Sequence, residues 1–261
     1  EDLMSLLFIV KVTIVAAGAA PGTMGILWYI VVKPAYDKFN GNFKSEYVLQ
    51  IIGQIPGFAR LEYIPKKGFS WDDVKNAAIL NCGDKRYFES EDMLTGEYRD
   101  IRFQISDVTT KKMVRRDKKN RVEEIFSGQL ICLYRFDELK VSKGYLQIFE
   151  REFLSDTRGW KAPYEIHTEN EVFNNRFLVY ASDEHNAYYI LTPQRMEEII
   201  RFADAVDGQV SLVFNEENLF VAVKGDSMFD ASLEEPVSEQ TGRIAEDADF
   251  IQRAGEILVL S

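Results

Sequence analysis

FNNRFLVYASDEHNAYYILTPQRMEEIIRFADAVDGQVSLVFNEENLFVAV, residues Phe173 to Val223, is the stretch on which the reading of the fold turns. Arg176 to Ser182 is rich in β-branched and aromatic residues, Asp183 to Asn186 supplies turn formers, and Ala187 to Leu191 is β-prone again. That order predicts a hairpin. Thr192 is placed to cap a helix through its hydroxyl, and Pro193 stands at the first helical position, where its missing N–H costs nothing. Met196, Ile199, Ile200 and Ala203 mark one helix face. Asp207-Gly208 ends the helix, and Val210, Leu212 and Phe214, then Leu219, Val221 and Val223, alternate as two strands around Asn215 to Asn218. The fold class this predicts is α+β, a mostly antiparallel β-sheet with covering helices.

Upstream, Phe43, Tyr47, Ile51 and Ile52 fall near helical spacing, so an amphipathic helix is expected from Asn40 to Gly53 or Pro56, after a short linker containing Gly41. Pro65 to Gly68 is turn-like. Ser70 reads as an N-cap, with Asp72 and Asp73 in the first turn of a helix reaching Leu80. Ile101, Phe103 and Ile105 alternate, Ile125 to Phe136 is a near-continuous apolar run, and Tyr145 to Phe149 adds another short strand. Glu91-Asp92 reads as turn chemistry leading into a strand. Downstream, 234–261 is acidic, with Pro236 as a helix starter and Ile244, Ile251, Ala254 and Leu258 as its apolar stripe. A docked terminal helix is expected there, with a partner or coiled-coil helix as the alternative.

At the other end of the chain, Val12 to Val32 is 21 residues without a charge, bounded by Lys11 and Lys33. That length spans a hydrocarbon core of about 30 Å at about 1.5 Å per residue. Small residues fill its middle, Trp28 and Tyr29 sit toward one end, and Pro21-Gly22 kinks it. A turn at Pro21 would leave a second helix too short to cross. Glu1 and Asp2 do not suit the basic start of a signal peptide, and a buried helix with no polar face is uncommon in a soluble domain. Lys33, Lys38 and Lys44 follow the span, so the positive-inside rule puts the remainder in the cytoplasm. The expected organisation is a membrane-spanning segment over 1–33, a linker and amphipathic helix over 34–69, an α+β cytoplasmic domain over 70–233 and an acidic helix over 234–261.

The 261 residues carry a formal charge of −11, and 46% are hydrophobic, enough for a sizeable core. The net charge opposes nucleic-acid binding. Cys82 and Cys132 are the only cysteines, too few for a disulfide framework or a cysteine-rich zinc site, and they suit a reducing compartment. His167 and His185 have no ligand partner at i+3 or i+4, no phosphate-cradling glycine loop precedes a Lys-Ser or Lys-Thr pair, and Ser227 lacks the GxSxG frame. No catalytic residue, metal or cofactor is therefore assigned. Lys111, Lys112, Arg115, Arg116, Lys118, Lys119 and Arg121 form the one basic cluster, expected at a hairpin tip; a solvated tip is the plain reading, and contact with anionic lipid or a partner is the functional one. Arg176, Asp183 and His185 are the candidates for a shared cleft.

The run Phe173-Asn174-Asn175-Arg176-Phe177-Leu178-Val179-Tyr180 with Asp183, then Ala187-Tyr188-Tyr189-Ile190-Leu191-Thr192-Pro193 and Met196, resembles the hallmark block of domain-of-unknown-function family 3137, a family of bacterial proteins. Ser90-Glu91-Asp92 with Gly96, and Ile125-Phe126-Ser127-Gly128, are similar to its upstream signatures. The resemblance implies N-terminal membrane segments, often two, before a cytoplasmic domain; a first span would lie upstream of Glu1 or begin at Leu3. It implies no activity, substrate or cofactor. The expectation is a membrane-anchored interaction or scaffolding module at the inner face of a bacterial membrane, binding the bilayer and a protein partner or itself. The alternatives are an enzyme or small-ligand receptor with a dispersed site, and anionic-lipid sensing through the basic hairpin.

Overall fold

A computed structural model describes residues 33–116, 119–134, 145–153, 162–215, 218–229 and 240–259. The span expected over Val12 to Val32 lies outside the described residues, and among those described no helix is long and apolar enough to cross a membrane. The chain is already helical at Lys33. Helix α1 (Lys33–Asn42) runs without a break into a π-helical stretch, Phe43–Val48, and then α2 (Leu49–Ile52). The helix expected from Asn40 thus starts earlier, and Gly41 lies inside it rather than in a linker. Of the expected stripe Phe43 and Ile52 are buried and Tyr47 and Ile51 half-buried, while Val48, outside that stripe, is buried as well.

Strand β1 (Phe58–Ile64) and helix α3 (Trp71–Ala77) follow. Ser70 caps α3 as expected: its Oγ accepts from the Asp73 N–H at 3.1 Å while the Asp73 carboxylate accepts from the Ser70 N–H at 3.1 Å. Then come β2 (Glu89–Tyr98), β3 (Ile101–Arg116), β4 (Lys119–Tyr134), β5 (Leu146–Glu150) and β6 (Tyr164–Ile166). Helix α4 (Glu171–Arg176), β7 (Phe177–Ala181), α5 (Glu184–Ile190), α6 (Pro193–Ala205), β8 (Val210–Phe214), β9 (Asn218–Lys224) and α7 (Thr241–Val259) complete the chain. The described strands form one nine-stranded sheet, ordered β1-β2-β3-β4-β9-β8-β5-β7-β6, and their pairings are antiparallel. The α+β, mostly antiparallel expectation holds.

β6 was not read from the sequence. β1 lies in the 34–69 stretch read as linker and helix, and β2 already includes the Glu91-Asp92 pair read as turn chemistry leading into a strand. Both β1 and β2 are interrupted by bulges, with register shifts between Ala59 and Glu62 and between Glu91 and Leu94. Arg60 and Asp92 take the left-handed backbone there, with φ of 53° and 59°, and the clean alternation that marks a strand is lost.

Inside the deciding stretch, the hairpin expected over 176–191 is not formed. Its first strand is present as β7, but Glu184–Ile190 is the helix α5. Asp183 explains the difference. Its carboxylate accepts from the N–H groups of His185 at 2.8 Å and Asn186 at 3.2 Å, capping a helix where a turn was expected. Ala187, Ile190 and Leu191 then face inward at i, i+3 and i+4, while Tyr188 and Tyr189 face solvent. The rest of the stretch folds as read: the Thr192 hydroxyl accepts from the Arg195 N–H at 3.3 Å with Pro193 first in α6, and β8 and β9 pair from Val210↔Val223 to Phe214↔Leu219.

Helices cover the sheet unequally. One face, including Phe103, Ile105, Ile131, Leu133, Leu212, Phe214, Leu219 and Val221, packs in one core with residues of α1, α2, α6 and α7. The other face buries Val108, Leu130, Cys132, Val213, Phe220 and Ala222 with α3 and Ile79 and Leu80. Each such side chain contributes on the order of 1.5–3 kcal/mol by leaving water. The expected stripe of the terminal helix is there, with Ile244, Ile251, Ala254 and Leu258 all buried; the described helix starts at Thr241, and Pro236 lies outside the described residues.

Candidate functional site

The most unusual chemistry lies under α1, where three segments distant in sequence meet. Lys44 is only 3% exposed, although Lys is among the side chains least often buried. It sits in the π-helical stretch, where the wider turn changes which side chains face inward. Its ammonium pairs with the carboxylate of Asp92, whose other oxygen accepts from the Tyr63 hydroxyl at 2.6 Å. Asp92 is presented by the β2 bulge, and its N–H is held by the Pro65 carbonyl at 3.1 Å. Next to it, burial raises the Glu91 carboxyl above its ordinary pKa, the Asp92 charge adds to that rise, and Lys44 and then Lys33 pull against it. Ser106, Gln129, Met228 and Phe229 help to enclose a void of about 20 Å³ beside the pair. Space of that order admits about one water. A small-ligand pocket is typically about 300–1,000 Å³.

The centre therefore works as a lock between α1 and the sheet. Losing one partner of a buried ion pair leaves the other charge uncompensated and costs about 3–5 kcal/mol. Sequence reading missed this centre because Lys44 looked like one more positive charge after the span. The one signal available was a lysine between Phe43 and Val48 on the inward face of the helix.

The second feature is the β3–β4 hairpin, in which both strands outrun their neighbours. β2 follows β3 only as far as Glu89↔Thr109, and β9 follows β4 only from Gly128 to Tyr134. From Lys111↔Glu124 to Arg116↔Lys119 the pair continues alone as a two-stranded ribbon. Its root is tied down by the Asp84 N–H donating to the Lys111 carbonyl at 2.9 Å and the Met113 N–H donating to the Asp84 carboxylate at 2.8 Å. The structure thus brings Lys111, Lys112, Arg115, Arg116, Lys119 and Arg121 onto one projection; Lys118 lies outside the described residues. Among these charges Lys111 pairs with Glu89 at 3.5 Å and Arg116 with Glu123 at 3.5 Å. Between them Met113 and Val122 stand opposite each other, 41% and 48% exposed.

The third group, Arg176, Asp183 and His185, is spread along β7. Arg176 precedes the strand and bonds Glu150 at 2.9 Å and Asp204, while Glu150 also accepts from the Val210 N–H at 3.0 Å. Burial alone would lower the Arg176 pKa, but its hydrogen bonds to Asp204 and Glu150 carry the net shift upward. It ties β5, α6 and β8 together. Asp183 and His185 follow the far end of the strand, about 17 Å along at the usual rise. Asp183 is occupied in capping α5.

Two open hollows lie on the surface of the described residues. One of about 490 Å³ crosses β1–β4 and mixes Arg60, Lys67 and Arg102 with Glu62 and Glu97. The other, about 460 Å³, is acidic, with Asp207, Asp226, Glu246 and Asp249 beside Arg253. Among the described residues no group of three or more His, Cys, Asp or Glu could hold a metal ion. Cys82 and Cys132 are free and buried. Burial pushes both thiols up to about 12, with Lys75 opposing the rise at Cys82.

These features define an α+β protein built on a single wide antiparallel sheet with an inserted buried ion pair and a projecting basic ribbon. Residues 124–258 match the family described as protein of unknown function (DUF3137), and the chain belongs to that family. The match runs from the outer half of β4 into α7 and includes the whole 173–223 stretch. Lys44, Tyr63, Asp92 and the β3 half of the ribbon precede it. No curated protein and no solved structure matches the chain.

Proposed function

We propose that this chain is a membrane-anchored interaction module at the cytoplasmic face of a bacterial membrane, held by Val12 to Val32. The observation that carries this reading is the way the chain next to that segment enters the fold. The chain is already helical at Lys33, the residue that follows the uncharged stretch in sequence, and α1 runs through the π-helical stretch and α2 into the main core, where the Lys44–Asp92 pair fastens it to the sheet. An anchor joined in this way fixes the attitude of the domain as well as its address, which favours presenting a defined surface to partners. The receptor alternative finds little support at the buried centre, where the void of about 20 Å³ holds no more than water.

Full-length chain expressed in bacterial cells is expected to stay in the membrane pellet through alkaline carbonate extraction, and deletion of residues 12–32 to release it. Detergent-extracted chain is expected to retain a cross-linkable partner or assemble with itself. Carbonate-soluble full-length protein would overturn the anchor, and a detergent-extracted chain with neither partner nor assembly would overturn the interaction role.

A further inference from the structure

The sheet gives the membrane-proximal end of the domain a direction. α2 ends at Ile52, and six residues later Phe58 pairs with Tyr98 beside the β2–β3 turn, where the Arg99 N–H donates to the Gly57 carbonyl at 2.9 Å. Lys44, earlier in the helix, lies at the level of Asp92 and Ser106. Lys33, earlier still, is near enough to Glu91 for its charge to act on that carboxyl. Followed backward, the helix therefore leaves the β2–β3 turn and heads for the end of the sheet where Glu89 pairs with Thr109. The ribbon departs from that same end. From Lys44 to Lys33 the helix advances about 16 Å. From Ser106 to Arg116 the strand advances about 33 Å, so the ribbon is long enough to reach the level at which the chain enters the domain. A register shift between Thr110 and Lys111 allows it to bend as it leaves.

We infer that the ribbon rests on the anionic phospholipid headgroups of the leaflet from which α1 emerges, an inference that builds on the anchor proposed above. The chain as a whole carries −11 and is repelled by such a surface. Only a projection that concentrates basic side chains within a Debye length of the lipid reverses the sign locally. Arg115, Lys119 and Arg121 do this, and the Met113/Val122 pair offers apolar contact at the headgroup boundary. Free phosphate would satisfy the charges but not the apolar pair. With the span and the ribbon both engaged, the domain is held at two points and cannot swivel about α1.

The test uses full-length chain in lipid nanodiscs, with a fluorophore on Asn120→Cys in the ribbon or, as control, on Gln54→Cys at the far end of the domain. Cys82 and Cys132 are buried and leave the introduced thiol as the reactive one. Quenching by headgroup-labelled lipid is expected to be about twofold stronger at Asn120 in discs containing a third phosphatidylglycerol than in neutral discs. It is expected to fall to the neutral value in Lys119→Glu/Arg121→Glu and to stay low throughout at Gln54. Equal quenching at the two positions, in both lipids or in the charge-reversed variant, overturns the ribbon contact while the anchor stands. A chain that does not co-elute with discs overturns the anchor, and the ribbon contact with it.

Discussion

The β8–β9 hairpin and the β3–β4 hairpin are the same motif put to opposite uses. In β8 all five residues, Val210 to Phe214, are buried, and the pair sits between β4 and β5 with neighbours on both sides. β3 and β4 share that environment only along their inner halves. Beyond Thr110 no third strand among the described residues pairs with either, and the side chains change from Ile105, Val108 and Leu130 to Lys, Arg and Glu. A strand may run on past its sheet only if its outer residues tolerate water on both faces. Its length then serves something other than the core.

The largest effect that separates the two hairpins is expected from truncation. Leu212→Ala in β8 should cost about 4 kcal/mol in urea unfolding, whereas Val122→Ala in the ribbon should stay within about 0.5 kcal/mol. Similar losses would erase the distinction. Next, Asp92→Asn keeps the shape and suits the left-handed backbone but removes the counter-charge from Lys44, and a loss of about 3 kcal/mol is expected. A loss below about 1 kcal/mol would mean that the pair is not the lock described. Gly128 marks the point where β4 leaves its neighbour, and a Cβ there would stand 2.0 Å from the Val223 carbonyl oxygen. Gly128→Ala should therefore cost about 2 kcal/mol and raise amide exchange in β9, while leaving the outer ribbon unaffected.

The smallest effect concerns pH. The buried thiols have native pKa values of about 12 against an ordinary 9.0. The unfolded chain therefore ionises first: their share of stability is intact below pH 9 and drains away as the pH climbs toward 12. At pH 10 the loss should be up to about 1.4 kcal/mol per thiol, absent in Cys82→Ala/Cys132→Ala. Folded protein should also resist thiol reagents at neutral pH, and rapid labelling would contradict the buried setting.

Local chemistry was legible wherever one side chain decides an element. Ser70 and Asp73, Thr192 with Pro193, and the alternation of β8 and β9 each state their structure within a few residues. α5 was misread because Tyr188 and Tyr189 look like strand residues, and only the Asp183 cap and the inward spacing of Ala187, Ile190 and Leu191 reveal a helix. β1 was hidden by a bulge that breaks its period, and the bulge in β2 made its first part read as a turn. The ribbon's charges were plain in the sequence, but the direction in which they point depends on where the partner strands stop. The buried centre was least legible, since it joins Lys44, Tyr63 and Asp92, and no spacing rule links three segments brought together by packing.

The two borders of the sheet also bear on how the protein behaves in a crowded cell. β6 offers only three residues at one border, and β1 at the other is broken by the irregularity around Arg60, whose guanidinium reaches the Glu97 carboxylate at 2.7 Å. A neighbouring molecule seeking to add a strand meets a stub on one side and a kinked, charged rim on the other. Nine strands can thus be held in a single layer at high local concentration without neighbouring sheets stitching themselves into fibrils.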